Sequence, residues 1–142
     1  MNPPRYQVWI CIGSLFGLMA VACGAFGAHG LKAMLTINGV LPEEAHQQLA
    51  NWETAARYQM YHALALLAVG LLALRRRSRA LDIAGAAMTG GTIIFSGCLY
   101  LLVLTGQKWL GAIVPFGGGL LLVGWAALFT AAMKIAPLEQ GD

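Results

Sequence analysis

Residues 9–28, WICIGSLFGLMAVACGAFGA, run for twenty positions without a formal charge. A helix of that length covers roughly 30 Å, about the hydrocarbon thickness of a bilayer. Three more blocks follow, at 59–74, 83–105 and 110–133, each free of Asp, Glu, Lys and Arg. The second is short, but the segment upstream from Leu49 has neither Pro nor Gly and can continue the same helix outward. A chain of 142 residues with 58% hydrophobic and 11% charged residues is far more apolar than one small water-soluble core needs, since soluble domains carry about 25% charged residues. The expectation is one all-α integral membrane domain, residues 1–142, folded as a four-helix bundle with spans at about 9–29, 57–74, 82–105 and 110–133. A three-span arrangement, with the second block buried or interfacial, is the alternative. The first block reads as a retained span, because Arg5 alone makes a weak positive flank and no cleavage site before a hydrophilic domain follows.

Basic residues set the orientation. Arg5, Arg75, Arg76, Arg77, Arg79 and Lys134 fall on one side of four spans, and Lys32, Arg57 and Lys108 on the other, six against three. The positive-inside bias then puts both termini in the cytoplasm. The arginine cluster also attracts anionic lipid headgroups, at roughly 1 kcal/mol per residue. It lacks the interleaved aromatics of a nucleic-acid surface, so no nucleic-acid partner is expected.

Small residues gather inside the spans. Gly13, Gly17, Ala20, Gly24 and Ala28 recur at intervals of four, three, four and four, which lines one helical face and lets a neighbour approach closely. Gly27, Gly90, Gly97 and Gly124 extend the set of expected packing positions. Intrachain packing is the expected use, with self-association or another membrane protein as alternatives. Pro115, Gly117, Gly118 and Gly119 admit two readings: a first-turn proline followed by a packing face, or a locally broken helix lining a cavity.

Between the first two spans, Asn38 and Gly39 allow a turn and Pro42-Glu43-Glu44 resembles a helix start. Ala45, Leu49, Trp52 and Ala56 recur at four, three and four. That spacing predicts a short external amphipathic helix on the membrane surface, with Trp52 and Tyr58 at the aromatic belt and a Glu53–Arg57 pair.

The ligand or switch candidates are His29, His62, Tyr58 and Glu53. Tyr58 and His62 are four apart and share a face, and His29, at the outer end of span one, is expected at a depth similar to His62. Such a pair can hold a metal, pass a proton, or contact a headgroup or quinone. Against these uses, no HExxH or CxxC motif is present, His46 lies on the external helix, and no acidic residue occupies the middle of a span. The bland alternative is a pair of histidines that bond to carbonyls or tyrosines and define helix ends. No metal site and no cofactor are assigned, haem between two histidines being a weaker alternative. Cys11, Cys23 and Cys98 lack redox or zinc spacing and read as packing residues. Ser14, Ser78 and Ser96 have no evident base, so no catalytic residue is assigned.

The segments GAFGAHGLK at 24–32, WETAARYQMYHALALL at 52–67, FSGCLYLL at 95–102 and LGAIVPFGGGLLLVGW at 110–125 resemble, in order, the signatures of the YgdD-like family of small bacterial inner-membrane proteins, a domain of unknown function numbered 423. The resemblance rests on Gly24, Phe26, Gly27, His29, Tyr58, His62, Ser96, Gly97, Tyr100, Pro115, Gly117, Gly118, Gly124 and Trp125. It implies a four-span fold and an inner-membrane location, and no reaction, substrate or cofactor. The expected role is therefore a structural or accessory membrane protein in contact with lipid or membrane partners. The alternative is a small proton, ion or solute channel or transporter, with a metal or haem redox protein behind it.

Overall fold

The computed structural model describes residues 4–76 and 78–134. Its elements are α1 (Arg5–Phe26), a π-turn (Gly27–Leu31), α2 (Lys32–Ile37), α3 (Pro42–Arg75), α4 (Arg79–Thr105) and α5 (Leu110–Ala132), with no strand among the described residues. α1, the π-turn and α2 continue as one rod of 33 residues, and α3, α4 and α5 have 34, 27 and 23. All four rods are long and apolar enough to cross a membrane.

Consecutive rods pack side by side, α1 on α3, α3 on α4 and α4 on α5. The middle pair, α3 and α4, each bury 39% of their apolar window, whereas the first rod and α5 bury 11% and 17%. The flanking helices therefore turn most of their apolar surface outward, as with Leu18 and Val21 of α1 and Phe116, Leu122 and Phe129 of α5. In water such a surface drives aggregation, and in a bilayer it is the lipid-facing wall.

Two apolar clusters fill the interior. Leu66, Val69, Leu81, Ala84, Met88 and Ala131 form the one near the α3–α4 turn, with Trp9 and Phe16 packed against it. Leu31, Leu35, Trp52 and Val103 form the other, towards the opposite end, with Cys23 and Tyr100 against it. Between them lie the buried polar residues Gln59, His62, Thr92 and Ser96.

Glycine closes two of the turns. Gly39 and Gly106 have φ of 66° and 69°, a left-handed backbone that glycine adopts without a Cβ clash. Gly106 also returns its N–H to the Leu102 carbonyl, ending α4. Pro42 opens α3 with Glu43 and Glu44 in its first turn, where carboxylates favour the positive end of the helix dipole.

Two local features differ from the sequence expectation. The external amphipathic helix is not a separate element on the membrane surface: residues 43–56 are the first turns of α3, because no breaker separates them from span two. Likewise span one does not release the chain at Gly30. The Trp52 indole donates to the Cys23 carbonyl at 2.8 Å, a carbonyl that also accepts the Gly27 N–H. Extra donation onto a helical carbonyl loosens the ladder, and the chain passes through a π-turn rather than stopping. Leu31 and Leu35 then face inward and are buried.

Candidate functional site

His62 sits on the inner face of α3 and is 4% exposed. Its Nδ1 is 2.7 Å from the Tyr58 carbonyl one turn earlier, and its Nε2 is 3.1 Å from the Trp125 indole nitrogen of α5. An indole nitrogen can only donate, so Nε2 accepts and the proton sits on Nδ1, which donates to Tyr58. Both ring nitrogens are thus engaged. Tyr58 stacks on Phe95 of α4, with ring centroids 4.7 Å apart, and lies 6.2 Å from the His62 ring. Together with Gly118, Leu121 and Leu122, Tyr58, His62 and Trp125 line a lateral groove of about 520 Å³ between α3 and α5.

The other buried polar side chains also reach across helices. Gln59 Nε2 donates to the Phe16 carbonyl of α1 at 3.0 Å, and Ser96 Oγ donates to the Ala55 carbonyl of α3 at 2.9 Å. These two bonds, with His62–Trp125, tie α3 to each of the other three spans. Among the described residues three buried polar side-chain atoms have no hydrogen-bond partner: Trp9 Nε1, Thr92 Oγ1 and Tyr100 Oη. They belong to different layers. Trp9 lies against Gly85, Tyr100 packs with its ring tilted against Trp52, and Thr92 is in the middle of α4. A threonine hydroxyl in a helix needs only a rotamer change to reach the carbonyl four residues back.

His29 lies elsewhere. It is exposed on the π-turn, beside Lys32, Ala33 and Thr36. The Gly17 position faces Ala63, whereas the Gly27 position faces Trp52, so His62 is level with Gly17 and His29 is twelve residues, roughly 18 Å, further along the rod. The structure does not bring the two histidines together. The turn expected at Asn38–Gly39 is where the chain reverses, but the first rod runs on to Ile37 instead of ending near residue 29, which carries His29 away from the level of His62. Glu53 is exposed and pairs with Arg57, on the outside of α3 rather than beside His62. Among the described residues no group of three or more His, Cys, Asp or Glu is placed to hold a metal.

The packing glycines divide into three sets. A Cβ on Gly13 would meet the Ala63 carbonyl at 2.8 Å, on Gly117 the Phe95 amide at 2.5 Å, on Gly124 Met88 at 2.6 Å, and on Gly27 the Trp52 ring at 2.5 Å. Gly17, Gly90 and Gly118 make ordinary contacts, while Gly24, Gly97 and Gly119 face open space. Gly70, Gly85 and Gly91 are as tight as the first set. Pro115 lies inside an α5 that remains helical from end to end, and Gly117 after it serves close approach to α4.

Gln59 and Trp125 are the site residues missed from sequence. Gln59 had a signal, an amide inside an apolar block three residues before His62, which marks an interior face. Trp125 entered the sequence reading only as a position of the family resemblance, because a side chain that bridges two non-adjacent helices leaves no local pattern.

The model of a family described as protein of unknown function (DUF423) matches residues 23–118. A UPF0382 membrane protein of Staphylococcus aureus is 43% identical over 130 residues, 92% of this chain and 98% of the relative. The UPF0382 membrane protein YwdK of Bacillus subtilis is 40% identical over 129 residues, covering 90% and 98%. No solved structure matches the chain significantly. With a four-span helical fold and relatives matched along nearly their whole length, the chain belongs to the DUF423 family of small membrane proteins.

Proposed function

We propose that the protein is an accessory component of the bacterial cytoplasmic (inner) membrane, with both termini in the cytoplasm, that presents its outer helix faces to lipid and to other membrane helices. The observation that carries this reading is the use made of the mid-bundle polar groups. Gln59, His62 and Ser96 are bonded to Phe16, Trp125 and Ala55, so the polar atoms that a transport pathway would employ serve as helix-to-helix ties. The open-space glycines, Gly24, Gly97 and Gly119, add small-residue surface that another helix can approach. Relatives named only as membrane proteins agree with such a role.

Reconstitution tests it. Proteoliposomes should leak protons, potassium and small solutes no faster than protein-free vesicles. A flux above that background that His62→Ala removes would replace the accessory role with a channel or transporter. The orientation is tested separately by reporter fusions at the carboxyl terminus and by labelling of a cysteine placed at Asn38, which should be reachable from outside intact spheroplasts.

A further inference from the structure

At the end of the bundle where α3 gives way to α4, a cavity of about 590 Å³ opens between Arg5, Tyr6, Arg75, Arg76, Ser78 and Asp82. A second cavity of about 220 Å³ shares Arg75, Arg76, Ser78 and Leu81 with it and is otherwise walled by Leu71, Leu72 and Ala131. The first has a charged, polar mouth and the second a hydrocarbon lining. We propose that the two form one site for an anionic phospholipid, with the phosphate among the arginines and part of an acyl chain in the apolar slot. This site stands independently of the accessory role.

The charges around the cavity support an anion. Among the described residues Asp82 is the one acidic residue of its wall, and Asp82 is paired with Arg5. The Arg76 guanidinium donates to the Lys134 carbonyl, which holds it in place without cancelling its charge. Arg75 has no acidic partner among the described residues, and its place in the last turn of α3 offsets the negative end of that helix dipole. On the opposite wall α4 begins at Arg79, and Ser78 makes no side-chain cap. The first amides of α4 therefore lack side-chain acceptors beside the cavity, the arrangement that favours a phosphate oxygen.

The adjoining slot selects a lipid over a soluble anion. A water-soluble phosphate gains nothing from Leu71, Leu72 and Ala131, whereas an acyl chain does. The site also lies at the ends of the helices, the depth of headgroups. A phosphatidylcholine headgroup would bring its own cation against the arginines, so the occupant carries net negative charge, as phosphatidylglycerol does.

The test is lipid titration of the full-length protein in detergent, read by native mass spectrometry. Dioleoylphosphatidylglycerol should bind at least about tenfold more tightly than dioleoylphosphatidylcholine, and the double variant Arg75→Gln/Arg76→Gln should lose about 30-fold in phosphatidylglycerol affinity. Arg79→Gln, which does not line the cavity, should lose less than about twofold. A loss of about fivefold or more for Arg79→Gln, the share that diffuse surface charge gives each arginine, would overturn the site, and equal affinity for the two lipids would overturn it without any variant. Glycerol 3-phosphate binding as tightly as the lipid would also overturn it, because the slot would then contribute nothing. If the double variant does not elute as a single species, the comparison of wild-type lipid preferences decides.

Discussion

The indole N–H of Trp125 on α5 meets Nε2 of His62 on α3 at 3.1 Å, bridging two helices whose backbones pack on α4 rather than on each other. The bond assigns this histidine a definite tautomer and gives the indole, otherwise turned towards lipid, its acceptor. Removing either partner should cost stability. His62→Ala leaves a buried gap and an unpaired indole, an expected loss of about 1–3 kcal/mol. Trp125→Phe should lose less, and the coupling between the two in a double-mutant cycle should be about 0.6–1.7 kcal/mol. Unfolding in mixed micelles measures all three. Additive losses would mean the bond contributes nothing.

His29 should behave oppositely. It is exposed on the π-turn, so His29→Ala should change stability by no more than about 0.5 kcal/mol. The comparison with His62→Ala in one assay separates two histidines that sequence placed together. Similar losses would show that the histidines act as a unit.

Glycine positions offer a contrast with a built-in control. A side chain at 117 runs into the Phe95 backbone, and one at 119 meets nothing within 4 Å. Gly117→Leu should separate α4 from α5 and destabilise by about 1–3 kcal/mol, whereas Gly119→Leu should be near neutral. Thermal aggregation in detergent ranks them. If Gly119→Leu instead abolishes a higher-order species seen by crosslinking in membranes, that face carries a protein contact.

Trp52→Phe removes the donor to the Cys23 carbonyl. The expected cost is about 1 kcal/mol, together with faster amide exchange across the Gly27–Leu31 turn. Unchanged exchange there would show that the π-turn does not depend on the indole.

Much of this fold was legible in the sequence because a bilayer demands long uncharged helices, and α4 (Arg79–Thr105) and α5 (Leu110–Ala132) run through the apolar blocks at 83–105 and 110–133. Gly13, Gly117 and Gly124 were legible for a related reason, since close helix approach requires small residues at helical spacing. The His29 depth was not. It depended on whether the first helix stops at Gly30, and a donor from Trp52, a residue on another helix, decides that. The contact that Gly85 makes, with the Trp9 ring of α1, was not legible for the same reason.

The most direct measurement of His62 as a structural tie is nitrogen-15 NMR of histidine-labelled protein in lipid bilayers at neutral pH. The result expected is a neutral His62 ring protonated at Nδ1, with Nε2 correlated to the Trp125 indole proton. A neutral ring protonated at Nε2, or an Nε2 with no correlation to Trp125, would contradict the tie and return this histidine to the candidates for ligand or proton binding.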